Sequence, residues 1–275
     1  MNGFRSHKIA GLCFVPVLLS LASFMVIEGN QAVNDGHHHG DPPFLLEEGW
    51  KPLLNGENLD GWALQNPERG GWGTTSAVFW GGPDNPALLK GEAVPGDRIV
   101  NTMTDLDPRP SNLYTEDRFG DSELYLEFMV AEGSNSGVYL HGLYEIQIYD
   151  SYGKTPSVET AICGSIYSYV PVGDNYRGGV GPRIRAERPP GQWQSYQVWF
   201  QAPRFDEEGN KVANARFLRV LHNGVLIHEN VEREGPTQAP MKIPEAPENP
   251  LMLQGDHEQI AYRNIYVRPL RPVSR

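Results

Sequence analysis

The sequence predicts an all-β chain, a sandwich or jelly roll, and three observations carry that expectation. Glycine (30) and proline (23) make up about a fifth of the 275 residues, and such a density of chain breakers excludes helix bundles and long coiled coils. Several runs alternate apolar and polar residues with period two. Turn signals separate those runs at short intervals, and few stretches have helical periodicity.

The strands follow in order. In Leu124–Val130, Leu124, Leu126, Phe128 and Val130 share one face, with Tyr125, Glu127 and Met129 on the other. In 137–141, Val138 and Leu140 oppose Tyr139 and His141. In 144–150, Ile146 and Ile148 point inward and Glu145, Gln147 and Tyr149 outward, with Gly142 turning the chain between these two runs into a hairpin. Trp193–Gln201, 216–222 and 225–229 are further strands, the last two joined by Asn223-Gly224, which fits a type I′ turn. A final strand covers Ile260–Pro269. A short helix is expected near 158–162. Gly235–Pro250 carries five prolines and is expected to be a loop long enough to border a site.

Ahead of the domain, Arg5 and Lys8 precede a charge-free apolar run, Ile9 to Ile27. That is the pattern of a secretory signal. Residues 1–32 are read as the signal, cleaved near Ala32, with an uncleaved membrane anchor as the alternative. Residues 33–43, with His37, His38 and His39, read as a polar linker, and 44–272 as one domain. Export would be periplasmic or extracellular. Loss of 1–32 takes the net charge from −11 to −12 and leaves Cys163 as the sole cysteine, so no intrachain disulfide can form. Cys163 reads as a small buried thiol. The acidic balance, with no basic stripe, argues against nucleic acid as a partner.

Function is expected where the polar faces carry carboxylate, amide, imidazole and phenol groups, a mixture suited to sugar hydroxyls and C–H surfaces. Glu145-x-Gln147-x-Tyr149 invites comparison with β-jelly-roll glycosidases. Those enzymes need two carboxyl groups about 5–5.5 Å apart for retention, whereas Gln and Tyr follow Glu145 here. No G-x-S-x-G elbow and no H-E-x-x-H helix occurs.

At these residues the chain resembles the 3-keto-disaccharide hydrolase domain family. The resemblance runs from Glu48 to Leu270. It begins in Gly49–Gly56 and Leu59–Trp62 and continues through Asn135–Gly142, Tyr144–Asp150, Gly164–Tyr167 and Pro190–Trp193. It closes with Leu253–His257 and Arg263–Ile265. It implies a concanavalin A-like jelly-roll sandwich of two antiparallel sheets acting on glucosides oxidised at C3. A C3 ketone acidifies the C2 proton, so a base can remove it, the C1 aglycone can leave by β-elimination, and water can add afterwards. The resemblance makes Glu145 or His141 the base. Glu127, Asn135, Tyr139, Gln147, Tyr167, Gln254, Asp256 and His257 would contact the sugar, and Arg263 would stabilise the enolate or pair with a carboxylate. The sequence establishes no cofactor. A divalent metal held by His141, Glu145 or His257 would serve an enolate. The alternatives are a non-catalytic, lectin-like carbohydrate-binding module and a structural surface-matrix protein. Gly70–Pro86 and 172–188, the latter with Arg177, Arg183, Arg185 and Arg188, stand apart as insert-like. Trp50, Trp62 and Trp193 read as packing residues.

Overall fold

The computed structural model describes residues 1, 42–101, 110–155, 158, 160–168 and 178–271. The expected signal, nearly all of the linker, the histidine run and Arg177 lie outside these residues. A jelly-roll sandwich of two antiparallel sheets is what the described residues form. Along one edge of the larger sheet lie β15 (Val225–Arg233), β14 (Ala215–His222) and β11 (Trp193–Gln201). The sheet continues through β8 (Ser122–Val130), β17 (Ile260–Pro269), β6 (Arg98–Asn101) and β3 (Trp72–Thr75), and β1 (Lys51–Pro52) also pairs with β17. The smaller sheet runs β10 (Tyr144–Tyr149), β9 (Asn135–Leu140), β16 (Met252–Leu253), β7 (Leu113–Thr115) and β2 (Trp62–Leu64). Two hairpins stand apart, β4 (Val78–Trp80) with β5 (Leu89–Gly91) and β12 (Arg204–Phe205) with β13 (Lys211–Ala213).

The alternation read from the sequence decides which faces meet. Leu124, Leu126, Phe128 and Val130 of β8 pack against Val138, Leu140, Ile146 and Ile148 of the smaller sheet in the main core. Each such side chain contributes about 1.5–3 kcal/mol when fully buried. Asn223 and Gly224 both have positive φ, as the expected type I′ turn demands. Cys163 lies in this core with Sγ 3.2 Å from the Tyr196 hydroxyl, and burial pushes its thiol up to about 12. It is a packed thiol and not a nucleophile.

Pro43–Leu46 forms one helical turn, α1, and its Phe44 ring stacks on Tyr266 at 3.8 Å. The short helix expected near 158–162 is corrected, since residues 158 and 160–162 are bends and turns. The segment 70–86 proves to be part of the fold. It supplies β3 and β4, and Val78 and Trp80 cover Met129, Trp193 and Ala261 on the outer face of the larger sheet.

Candidate active site

The outer face of the smaller sheet carries the site. Cross-strand pairs share a face, and the β9–β10 register places Glu145 beside Tyr139, Gln147 beside Gly137, and Tyr149 beside Asn135. β16 extends the first row, with Met252 opposite both Tyr139 and Tyr114. Backbone bonds from Gln254 to Gly137 and from Gln65 to Asn112 extend the second row. That second row therefore holds Gln65, Asn112, Gln254, the bare backbone of Gly137, and Gln147. The Asn112 amide donates to Gln65 Oε1 at 2.9 Å and accepts from the Gly255 amide at 2.8 Å. Such a row presents planar donors and acceptors to a hydroxylated ligand.

Glu145, in the first row, is only 3% exposed. Burial pushes its carboxyl up to about 8; a hydrogen bond from Tyr139 opposes this, and the charge of Asp256 adds to it. Burial, with Glu145 beside it, holds the Tyr139 phenol well above its usual range. The hydrogen-bond network assigns the Gln147 amide nitrogen to the side facing the Ser136 carbonyl, at 2.7 Å, and Glu145 Oε1, at 3.3 Å. The opposite orientation would set its oxygen against two acceptors. Asp256 Oδ1 accepts from His257 Nδ1 at 2.8 Å, and both side chains are about one-third exposed, at 37% and 32%. Gln254 is buried beside Gly137, with Oε1 lacking a partner among the described residues.

The edge of β10 is closed by irregular backbone. Gln147 donates to Ser165 O, while Gly164 and Tyr167 donate to the carbonyls of Gln147 and Glu145. The Glu145 amide donates to Thr237 Oγ1 at 3.1 Å. Thr237 belongs to the proline-rich 235–250 loop, which crosses the hairpin: Met241 N bonds Gly142 O and the Tyr139 hydroxyl bonds Gln238 O at 3.3 Å. The loop borders the site, as its length suggested.

Tyr139, Glu145, Gln147, Tyr167, Gln254, Asp256 and His257 thus gather on or beside one sheet face, with Asn135 further along it. Three other candidates do not join them. His141 follows β9 with φ of 57°, and this left-handed residue breaks the alternation that would have set it beside Tyr139. Its ring instead stacks edge-on against Phe200 at 5.1 Å, 2% exposed, with Nε2 3.4 Å from Gly120 O. Burial lowers it to about 4, so it stays neutral. Glu127 and Arg263 lie on the outer face of the larger sheet, where Arg263 Nε bonds Glu127 Oε2 at 2.5 Å and its guanidinium stacks 4.2 Å over Trp193. Arg263 therefore takes the ion-pair role and not the enolate role. Among the described residues no three His, Cys, Asp or Glu side chains converge as metal ligands. His141 is in the core, away from Glu145 and His257, so the expected ligand set does not assemble. Arg183 pairs with Glu229 and Arg185 with Glu187. Trp62 and Trp193 are packing residues, as expected, and Trp50 lies under Arg268.

The position of His141 makes a prediction. Its folded value, about 4, lies below the ordinary 6.5, so the unfolded chain takes up a proton first as pH falls. Stability should drop between about pH 6.5 and 4 and level off below. His141→Leu should shrink that drop in urea titrations and leave turnover within about twofold of the parent, because the ring lies away from the candidate sheet face.

A family model for the 3-keto-alpha-glucoside-1,2-lyase-like domain matches residues 49–268. The chain belongs to this family. The lyase-like domain is carbohydrate-active, and it spans both sheets, including every residue of the site above. A solved structure from Parabacteroides distasonis, named a "putative glycosyl hydrolase", is similar at 24% identity with a TM-score of 0.57, over 81% of this chain and 84% of that one. A second from the same organism, with the same name, aligns at 21% identity and a TM-score of 0.49, over 80% and 99%. The first likeness bears on the fold of the lyase-like domain. Comparison with curated proteins gives no match.

Gly137, Thr237, Asn112 and Gln65 were not singled out from the sequence. Only Gly137 carried a signal, as a glycine inside an alternating strand.

Proposed function

We propose that the lyase-like domain cleaves glucosides already oxidised at C3, through C2 proton abstraction and β-elimination. The observation that supports it most is one buried carboxyl, Glu145, pushed up to about 8 on a sheet face whose neighbours are phenol and amide groups. A general base works best with a value near the operating pH, and a carboxyl so raised is a stronger base than an ordinary one.

Ionised Glu145 takes the C2 proton and the C–H pair enters a C2–C3 enolate. Return of that pair re-forms the ketone, makes the C1–C2 double bond and breaks the C1–O bond. The departing oxygen takes a proton back from Glu145, leaving a 3-keto-1,2-ene and a free alcohol. Later addition of water to the double bond completes net hydrolysis. Gln254, Asn112 and Gln65 would hold sugar hydroxyls, and Asp256 with His257 would stand at the exposed mouth. The amide row would serve a binding module equally well, which is the second reading. Export also remains our proposal, supported by the charge-free run Ile9–Ile27 after Arg5 and Lys8.

The test incubates the full chain with a 3-keto-glucoside and with its unoxidised parent, and follows aglycone release. Release from the keto sugar alone is expected. Binding of the parent glycan with no release from either sugar would replace the enzyme with a binding module.

A further inference from the structure

We propose that Gly137 and Gln147 are positioning residues for the base, fixing together where the Glu145 carboxyl lies over bare backbone. The proposal rests on the reading of Glu145 as that base, and one arm of its test does not.

Gly137 sits inside β9 and is not among the residues with positive φ. No backbone conformation therefore calls for glycine there, and a mid-strand glycine costs about 0.5–1 kcal/mol relative to alanine. The missing Cβ has a different use. A Cβ built on Gly137 would stand 2.9 Å from Cγ and Cδ of Glu145 and closer still to Oε1. The carboxyl leans from its own cross-strand partner, Tyr139, onto the diagonal neighbour and occupies the space a side chain would fill. Real Cβ atoms do not approach so closely, so any larger residue displaces the carboxyl.

Gln147 closes the same hollow from the other side. It is the direct partner of Gly137 in the register, and it can reach Glu145 only because no side chain lies between them. Its amide is anchored on the Ser136 carbonyl, leaving its second N–H for Oε1. The pair thus does two opposed things. The glycine lets the carboxyl sink into a dry site, which disfavours its charge. The amide supplies a donor to the charged form, which favours it.

The other groups that face the carboxyl are Tyr139 from β9, Asp256 after β16, and Tyr262 from the core side, while the Tyr167 phenol of the edge segment acts on Tyr139. His257 bonds Asp256, and Arg233 bonds the Tyr167 carbonyl at 3.0 Å. None of these residues is itself replaced by a change at 137 or 147.

The experiment compares Gly137→Ala, Gln147→Leu and a core control, Val138→Ala, whose side chain faces the opposite way. The pH dependence of kcat/KM on a 3-keto-glucoside is measured for each. The titration of the Glu145 carboxyl carbon is followed by NMR, assigned by its absence in Glu145→Gln. Gly137→Ala should push the carboxyl toward water, moving its midpoint down by at least about one pH unit and lowering the plateau about 100-fold. Gln147→Leu should move the midpoint up. Val138→Ala should lower stability and leave the midpoint near its parent value of about 8. If Gly137→Ala does not fold, the upward shift in Gln147→Leu carries the test. Midpoints that stay put in the folded variants overturn the proposal. A parent chain inactive on the keto sugar would overturn the catalytic reading, while the NMR titration would still decide the positioning.

Discussion

Glu145→Gln should abolish aglycone release from a 3-keto-glucoside, by about 10³-fold or more, while the chain keeps its fold. Loss of a general base alone accounts for about 10²–10⁴, and Glu127 does not stand in for it, because it lies on the other sheet, bonded to Arg263. In the parent the base must be ionised, so kcat/KM should rise with pH and level off above about 8. Stability should move the other way. The folded chain holds the Glu145 proton more tightly than the unfolded chain, so this group stabilises fully below its ordinary value of 4.5, and the contribution is lost as pH rises through about 8. The variant, with nothing to ionise, escapes that loss. Its melting temperature should exceed the parent's at pH 9 and match it at pH 4. An inactive variant with no such pH-dependent gain would mean that the carboxyl is not buried as described. A fully active one would remove Glu145 from the chemistry.

Breaking the Glu127–Arg263 pair should have the largest effect on stability. Glu127 is 1% exposed and accepts from the Tyr125 hydroxyl at 2.9 Å and the Asn264 amide at 3.1 Å as well as from Arg263. Glu127→Ala leaves the guanidinium half of a buried pair against Trp193 without its carboxylate, a change that costs about 3–5 kcal/mol. Urea unfolding should show the midpoint falling with little change in slope. Turnover per folded molecule should stay at the parent level, because the pair lies across the sandwich from Glu145. A variant of normal stability with lost turnover would return Glu127 to the site.

The strand alternation was legible because burial enforces it. Ile146 and Ile148 had to face the core, which sent Glu145 and Gln147 to the opposite face, and the structure agrees. His141 was misread because the rule of alternation ends where the strand ends. One left-handed residue turned the ring inward, and an isolated His before a glycine does not announce that conformation. Glu127 and Arg263 were misplaced for another reason. Period two separates the two faces of one sheet but does not say which outer faces belong to the same side of the molecule. That depends on the strand order, in which β8 lies between β11 and β17 in the sheet opposite the one that holds β10. The covering of the larger sheet by the β4–β5 hairpin was likewise hidden in a stretch without strong periodicity. Gly137 was visible as a residue, yet its purpose is a distance to a side chain eight positions on, which only the register supplies.

The strand that carries Glu145 is the last of its sheet, fastened outwardly by a turn segment and by Thr237 in place of another regular strand. That arrangement separates two kinds of inheritance. Substitutions in β8, β11 or β17 disturb the packing between the sheets, whereas the 235–250 loop can change length and composition at the margin, with the core untouched. Descendants of one ancestral domain could therefore exchange one leaving group for another by rewriting that margin, keeping a single chemistry while diversifying what it acts upon.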